Sequence, residues 1–143
     1  MGEAGDLVER FYNAFNRGDM DAAADCYDEN VRTIDPARGP SEGREAWRAF
    51  AESFKRALPD ARLELRTALG SGDTIAVEGE FTGTFTNPLS TPQGEAAPTG
   101  NRIAVPYAEI FTARGGCFVE QHVYYDQVAM FRQLGLPVEA PAD

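Results

Sequence analysis

Apolar residues recur at helical spacing near the start of the chain. Leu7, Val8, Phe11, Ala14 and Phe15 share a face, and Asp6 followed by Glu9 reads as a cap and its capping-box partner. The pattern predicts a helix opening at Asp6 and closed by Gly18. Asp19 caps a second, short helix carrying Met20, Ala23, Ala24 and Tyr27, so the two form a helical hairpin. Val31 to Ile34 is a brief extended piece before the turn-rich run from Asp35 to Pro40. Ser41 then caps a longer helix with Trp47, Phe50, Ala51, Phe54 and Leu58 on one face, ended by Pro59.

From residue 61 the period changes from 3.6 to 2. Ala61, Leu63, Leu65, Thr67 and Leu69 alternate with Arg62, Glu64 and Arg66, which predicts a strand with one buried and one wet face. Ile75, Val77, Gly79, Phe81, Gly83 and Phe85 continue the alternation after a glycine turn, and the two glycines on this apolar side imply a bend or a close approach by another group. Residues 86–100 carry several prolines and glycines and no period, so they read as a long, weakly anchored connection of the kind used as a lid. Two further strands, 102–112 and 117–126, and a short helix, 127–134, complete the chain. Helices followed by a four-stranded antiparallel meander predict an α+β domain over residues 1–143, in which a curved sheet wraps a helix and leaves a cone open at its mouth.

Charge and cysteine content narrow what such a cone can do. With 23 acidic against 13 basic residues the formal charge is −10, which disfavours nucleic acid and anionic membrane as partners. Cys26 and Cys117 have the spacing of neither a zinc site nor a disulfide framework and read as free thiols, so no metal is expected. No membrane span or basic leader is legible, which points to the cytoplasm.

Three side chains are candidates for proton transfer. Phe118, Glu120, His122, Tyr124 and Asp126 share one side of a regular last strand. A carboxylate at Asp126 among aromatic rings would be desolvated and raised toward neutrality; the competing reading makes Asp126 the N-cap of the last helix. His122 is the lone histidine, a candidate acid or base or a satisfied structural residue. Glu109 has the parity of Ile103, Val105, Tyr107 and Phe111, which faces the cavity unless the register slips at Pro106. Asp35 could add a carboxylate at the rim, or simply cap its turn. Tyr12, Phe15, Trp47, Phe50, Phe81, Tyr107 and Tyr124 form an aromatic-rich set, most of it core, of which three or four lining the cone would suit a flat polycyclic ligand.

Several strings resemble one family. The element order with Asn16, Arg17, Gly18 and Asp19 between two helices resembles the NTF2-like fold. Gly83 to Thr86, Ala97 to Gly100 and His122 to Gly135 resemble its SnoaL-like polyketide-cyclase branch, over residues 6–136. The resemblance implies a cofactor-free enzyme that closes the last ring of an aromatic polyketide by intramolecular aldol condensation, with Asp126 matching the catalytic Asp. Phe85 departs from the pattern, since many members look to have a His there. The resemblance also implies a homodimer through the outer sheet face, where Arg62, Glu64, Arg66, Glu78, Glu80 and Thr82 would pair across a two-fold axis. Two other classes compete: non-catalytic binding of a small hydrophobic molecule, in a pocket or a dimerising module with a vestigial cone, and a different reaction (isomerisation, epoxide opening or hydroxylation) in the same cone. Epoxide opening calls for carboxylates flanking a cationic Arg, and no interior Arg is legible on the strands.

Overall fold

The computed structural model describes residues 2–138. Its elements run α1 (Glu3–Asn16), α2 (Met20–Asp25), β1 (Tyr27–Asp35), β2 (Gly39–Glu42), α3 (Arg44–Ala57), β3 (Arg62–Ser71), β4 (Thr74–Thr84), β5 (Leu89–Thr91), β6 (Gly94–Ala96), β7 (Arg102–Arg114), β8 (Cys117–Tyr125) and α4 (Gln127–Leu134). Helices pack on a curved, mainly antiparallel sheet, as the α+β reading requires. The expected meander is the β3-β4-β7-β8 part of a larger six-stranded sheet in the order β2-β1-β8-β7-β4-β3. The added strand β1 pairs with β8 in parallel. No described helix is long and apolar enough to cross a membrane.

Local signals were sound where nothing tertiary competed. Asp19 caps α2 by accepting from Ala22 N at 3.0 Å, and Asp126 caps α4 by accepting from Ala129 N at 3.0 Å. Two expected caps are displaced. α1 starts at Glu3, with Gly2 rather than Asp6 at its N-cap, because Ala4 N donates to Gly72 O and ties the first turn to the β3–β4 turn. α3 starts at Arg44 behind Gly43, because Ser41 belongs to β2 and pairs with Thr33. The connection 86–100 contains the β5–β6 hairpin. It is fastened to the end of α3, where Thr86 N and Asn87 N both donate to Ala57 O, and Leu89 is buried.

Two bulges reset which side chains face inward. In β3 the register shifts between Leu65 and Thr67, so Ala68 joins Leu63 on the helix side and Leu69, expected in the core, is turned out; Leu65, also expected in the core, precedes the shift and keeps the side of Leu63, but is exposed. Gly79 stands opposite Leu65, and a Cβ there would collide with Glu64 O and meet Tyr107 Oη at 2.8 Å, which is the close approach implied by its sequence position. In β8, Glu120 pairs with Thr112 but Phe118 pairs with Ala113, leaving Val119 as the extra residue. Phe118 is therefore in the core, and beyond the bulge it is Gln121, Val123 and Tyr125 that point inward.

Between helices and sheet lies an aromatic core centred on Phe11. Its ring meets those of Tyr12, Phe15, Tyr27, Trp47, Phe111 and Phe118 at centroid distances of 5.3 to 6.2 Å, mostly edge to face. Tyr27 stacks on Trp47 at 4.1 Å and Phe111 on Phe118 at 4.3 Å. This cluster plugs one end of the cone, and the space beyond it is the cavity.

Candidate functional site

The cavity measures about 140 Å³ and is largely apolar, walled by Phe15, Trp47, Phe50, Phe54, Phe81 and Val105 among others. Its polar lining comes from strand interiors and one turn: Thr33 and Asp35 from β1, Tyr107 and Glu109 from β7, Gln121 and Tyr125 from β8, and Arg38 from the β1–β2 turn. Glu109 pairs with Val123 across β7 and β8, which fixes its side chain on the helix side of the sheet.

Glu109 is buried, and each carboxyl oxygen accepts one hydrogen bond: Oε2 from Tyr12 Oη at 2.8 Å and Oε1 from Gln121 Nε2 at 2.8 Å. Tyr107 Oη donates in turn to Tyr12 Oη at 2.7 Å. Burial penalises the charged form and outweighs the pull of the two donors, and the negative charge of Asp35 adds to it, so the carboxyl is pushed up to about 7. Tyr12 and Tyr107 are held far above the ordinary phenol range by burial and then by the Glu109 charge, so both stay protonated and act as donors. The result is one titrating carboxyl at neutral pH, held by a Tyr107–Tyr12 hydroxyl chain in the wall of a largely apolar cavity.

A second polar group forms around the β1–β2 turn. Asp35 Oδ1 accepts from Ala37 N at 2.7 Å and from Tyr125 Oη at 3.3 Å. Gly39, with φ of 70°, closes the three-residue loop that carries Arg38. The Arg38 guanidinium lies over the Phe50 ring, 4.2 Å from its centroid. Among the described residues no cluster of three or more His, Cys, Asp or Glu has the geometry to hold a metal.

The family model of the SnoaL-like domain matches residues 8–121. This chain belongs to the SnoaL-like family. A Jannaschia sp. CCS1 protein provisionally described as a SnoaL-like polyketide cyclase superposes with a TM-score of 0.81 at 21% identity, over 95% of this chain and 94% of that one. AclR of Streptomyces galilaeus, provisionally described as a hydroxylase, gives 0.79 at 20% identity over 97% and 85%. An NTF2-like protein of unknown function from Burkholderia pseudomallei K96243 gives 0.77 at 20% over 94% and 98%. No curated protein matches the sequence. At these identities the likeness is one of fold, NTF2-like throughout, and that fold carries differently described proteins.

Within this SnoaL-like cone the expected residues separate. Glu109, Phe15, Trp47, Phe50, Phe81 and Tyr107 line the cavity, and no slip occurs at Pro106. Tyr12 stands behind the lining and reaches the site only through its hydroxyl. Asp126, His122 and Tyr124 do not line the cavity: the Val119 bulge turns His122 and Tyr124 to the outer face, Tyr124 is 53% exposed, and Asp126 is exposed at the start of α4. Phe85, the departure from the family pattern, is fully buried and also outside the lining. No residue of 86–100 lines the cavity, so the lid expected there is not at the site; Met130 of α4 reaches it instead. The strands carry no interior Arg, but the turn supplies Arg38. Arg38, Gln121 and Tyr125 were missed as site residues. The signal for the last two was the adjacent apolar pair Phe118 and Val119, which a regular alternating strand does not accommodate.

Proposed function

We propose that this SnoaL-like protein is a cofactor-free acid/base enzyme that closes a ring on a small polyketide-like ketone by intramolecular aldol condensation, with Glu109 as the proton-transferring group. One observation carries the reading: a buried carboxyl poised at about 7 in the wall of an aromatic cavity. Ring closure takes a proton from a carbon beside one carbonyl, joins that carbon to a second carbonyl carbon, and puts a proton on the oxygen left behind. A carboxyl near 7 is present in both forms at neutral pH, so it can take the first proton and return it to the new alkoxide, ending as it began. Tyr12 and Gln121 fix the carboxyl plane, and the surrounding rings exclude water from the enolate. The volume of about 140 Å³ is close to that of an apolar cavity that takes one benzene ring, so the enclosed part of the substrate is the ring being formed rather than a flat polycycle.

Heptane-2,6-dione is a probe of matching size, whose closure and loss of water give a cyclohexenone followed by its absorbance. The wild type should exceed buffer, and Glu109→Gln should slow the reaction by about 10²- to 10⁴-fold. Equal rates in the two proteins, or none above buffer, would overturn the assignment. A second reading, a non-catalytic pocket for a small aromatic, draws support from the hydrogen bonds already occupying both Glu109 oxygens. It predicts a saturable change in the fluorescence of Trp47, the single tryptophan, without turnover.

A further inference from the structure

Arg38 is the one cationic side chain among the residues lining the cavity, and its partners do not account for it. Nη2 donates to Thr33 Oγ1 at 3.2 Å, and Nη1 has two long contacts, to Ser41 Oγ and Ala46 O at 3.4 Å each. All three acceptors are neutral. Nε is buried with no hydrogen-bond partner, and among the described residues no carboxylate lies in ion-pair range of the guanidinium. Asp35 is close enough for its charge to be felt but is held by Ala37 N and Tyr125 Oη. A second buried atom nearby, the Tyr27 hydroxyl, is likewise without a partner and within electrostatic reach of Arg38. Five of the 12 arginines, Arg17, Arg32, Arg48, Arg62 and Arg66, form ion pairs at the surface, where solvent could have served them. A cavity-lining guanidinium without a carboxylate partner is the exception, and a buried donor without an acceptor calls for an explanation.

The geometry points to Arg38 as the anchor of an oxyanion subsite: the cavity takes a planar, single-ring ligand that presents a carboxylate, phenolate or enolate oxygen to the Arg38 guanidinium, which has no carboxylate partner among the described residues. This rests on the cavity being the substrate site proposed above, and it names the substrate's handle. In the aldol reading the oxygen is that of the enolate, the atom on which charge develops once Glu109 has taken the proton. Phe50 covers one face of the guanidinium plane, 4.2 Å from its ring centroid. The three neutral contacts on the other nitrogens hold it in place before any ligand arrives.

The test reads binding rather than turnover, so it is independent of whether Glu109 catalyses anything. Benzoate and benzyl alcohol, alike in size and different in charge, are titrated against Trp47 fluorescence at pH 6. Wild type should bind benzoate about 10- to 100-fold more tightly than benzyl alcohol, the usual worth of a charge-assisted hydrogen bond. Arg38→Gln should remove that preference while leaving benzyl alcohol within about 3-fold, which also reports that the cavity is intact. Arg38→Lys, which keeps the charge and the fold but loses the planar edge, should retain only part of it. Glu109→Gln should leave the preference in place, and that outcome separates a failed catalytic assignment from a failed anchor. The inference is overturned if wild type shows no preference, if neither probe binds, or if Arg38→Gln and Arg38→Lys both bind benzoate as wild type does.

Discussion

The Glu109 carboxyl makes stability fall with rising pH, and the size of the fall can be worked out. In the unfolded chain the group titrates at its ordinary value of 4.5, whereas in the folded protein burial pushes it up to about 7. The folded state therefore holds a proton that the unfolded state releases between these values. The stabilisation is complete below pH 4.5 and is lost as pH rises through about 7. At ~1.4 kcal/mol per pH unit the whole effect is about 3 kcal/mol, of which about 2 to 3 kcal/mol falls between pH 5 and pH 8. Cys26, also raised by burial, starts from 9.0 and titrates above this window, so it does not mask the slope.

Glu109→Gln removes the ionisation but mispairs the amide, since Tyr12 Oη and Gln121 Nε2 both donate toward it and one must turn away. That costs about 1 to 2 kcal/mol at every pH. The variant should be the less stable protein at pH 5 and equal or more stable at pH 8, so the two curves cross. Urea unfolding at half-unit pH steps is the assay; at a slope of about 2 kcal/mol per molar, the wild-type midpoint should drop by about 1 M across the window while that of the variant stays level. Parallel curves for the two proteins would refute the claim that Glu109 is the group titrating in the cavity, and with it the basis for the proposal that it acts as acid and base.

Four other outcomes follow from the packing and the outer face. Asp126→Ala should cost about 1 kcal/mol as a lost helix cap and leave diketone closure within about 3-fold; a loss of about 100-fold or more would return Asp126 to the chemistry. Phe11→Ala, at the hub of six aromatic contacts, should destabilise by about 3 to 5 kcal/mol in denaturant titration, and less than about 2 would mean that the cluster closes over the gap. Hydrogen exchange at Leu89 and its neighbours should be slower than at the Gly115–Gly116 turn, because that hairpin is fastened to α3; equal rates would restore a loosely held connection. On the outer face Ile34, His122, Ile110, Ala76 and Leu69 pair in turn across five strands, and Leu69 is 68% exposed. Light scattering should give a dimer mass for wild type and 15.6 kDa for Ile110→Arg, whereas a wild-type monomer would dismiss the second copy as the partner of this row.

What the sequence made legible follows the range of the forces involved. Helix faces, the caps at Asp19 and Asp126, and the alternation that turns Glu109 inward depend on neighbours within a few residues, and they are as the pattern predicts. The site was misplaced at its last strand because a bulge is a decision between strands. Val119 has no partner on β7, and the adjacent apolar pair Phe118 and Val119 is the one mark of it in the run from Cys117 to Tyr125. One uncounted residue inverts every side chain after it. It moved His122 out, brought Gln121 to hydrogen-bond Glu109, and set Tyr125 against Asp35. The same bulge decides the chemistry. With a regular strand the inward carboxyl at this end would be Asp126, beside solvent and committed to Ala129 N. With Val119 extruded, Gln121 becomes the donor that orients a carboxyl far from any helix end. A variant lacking Val119 would restore the regular alternation, so it should lose the Gln121 bond that holds the Glu109 carboxyl down and move its titration upward from about 7, read as a stability loss displaced to higher pH in urea unfolding, while α4 keeps its cap.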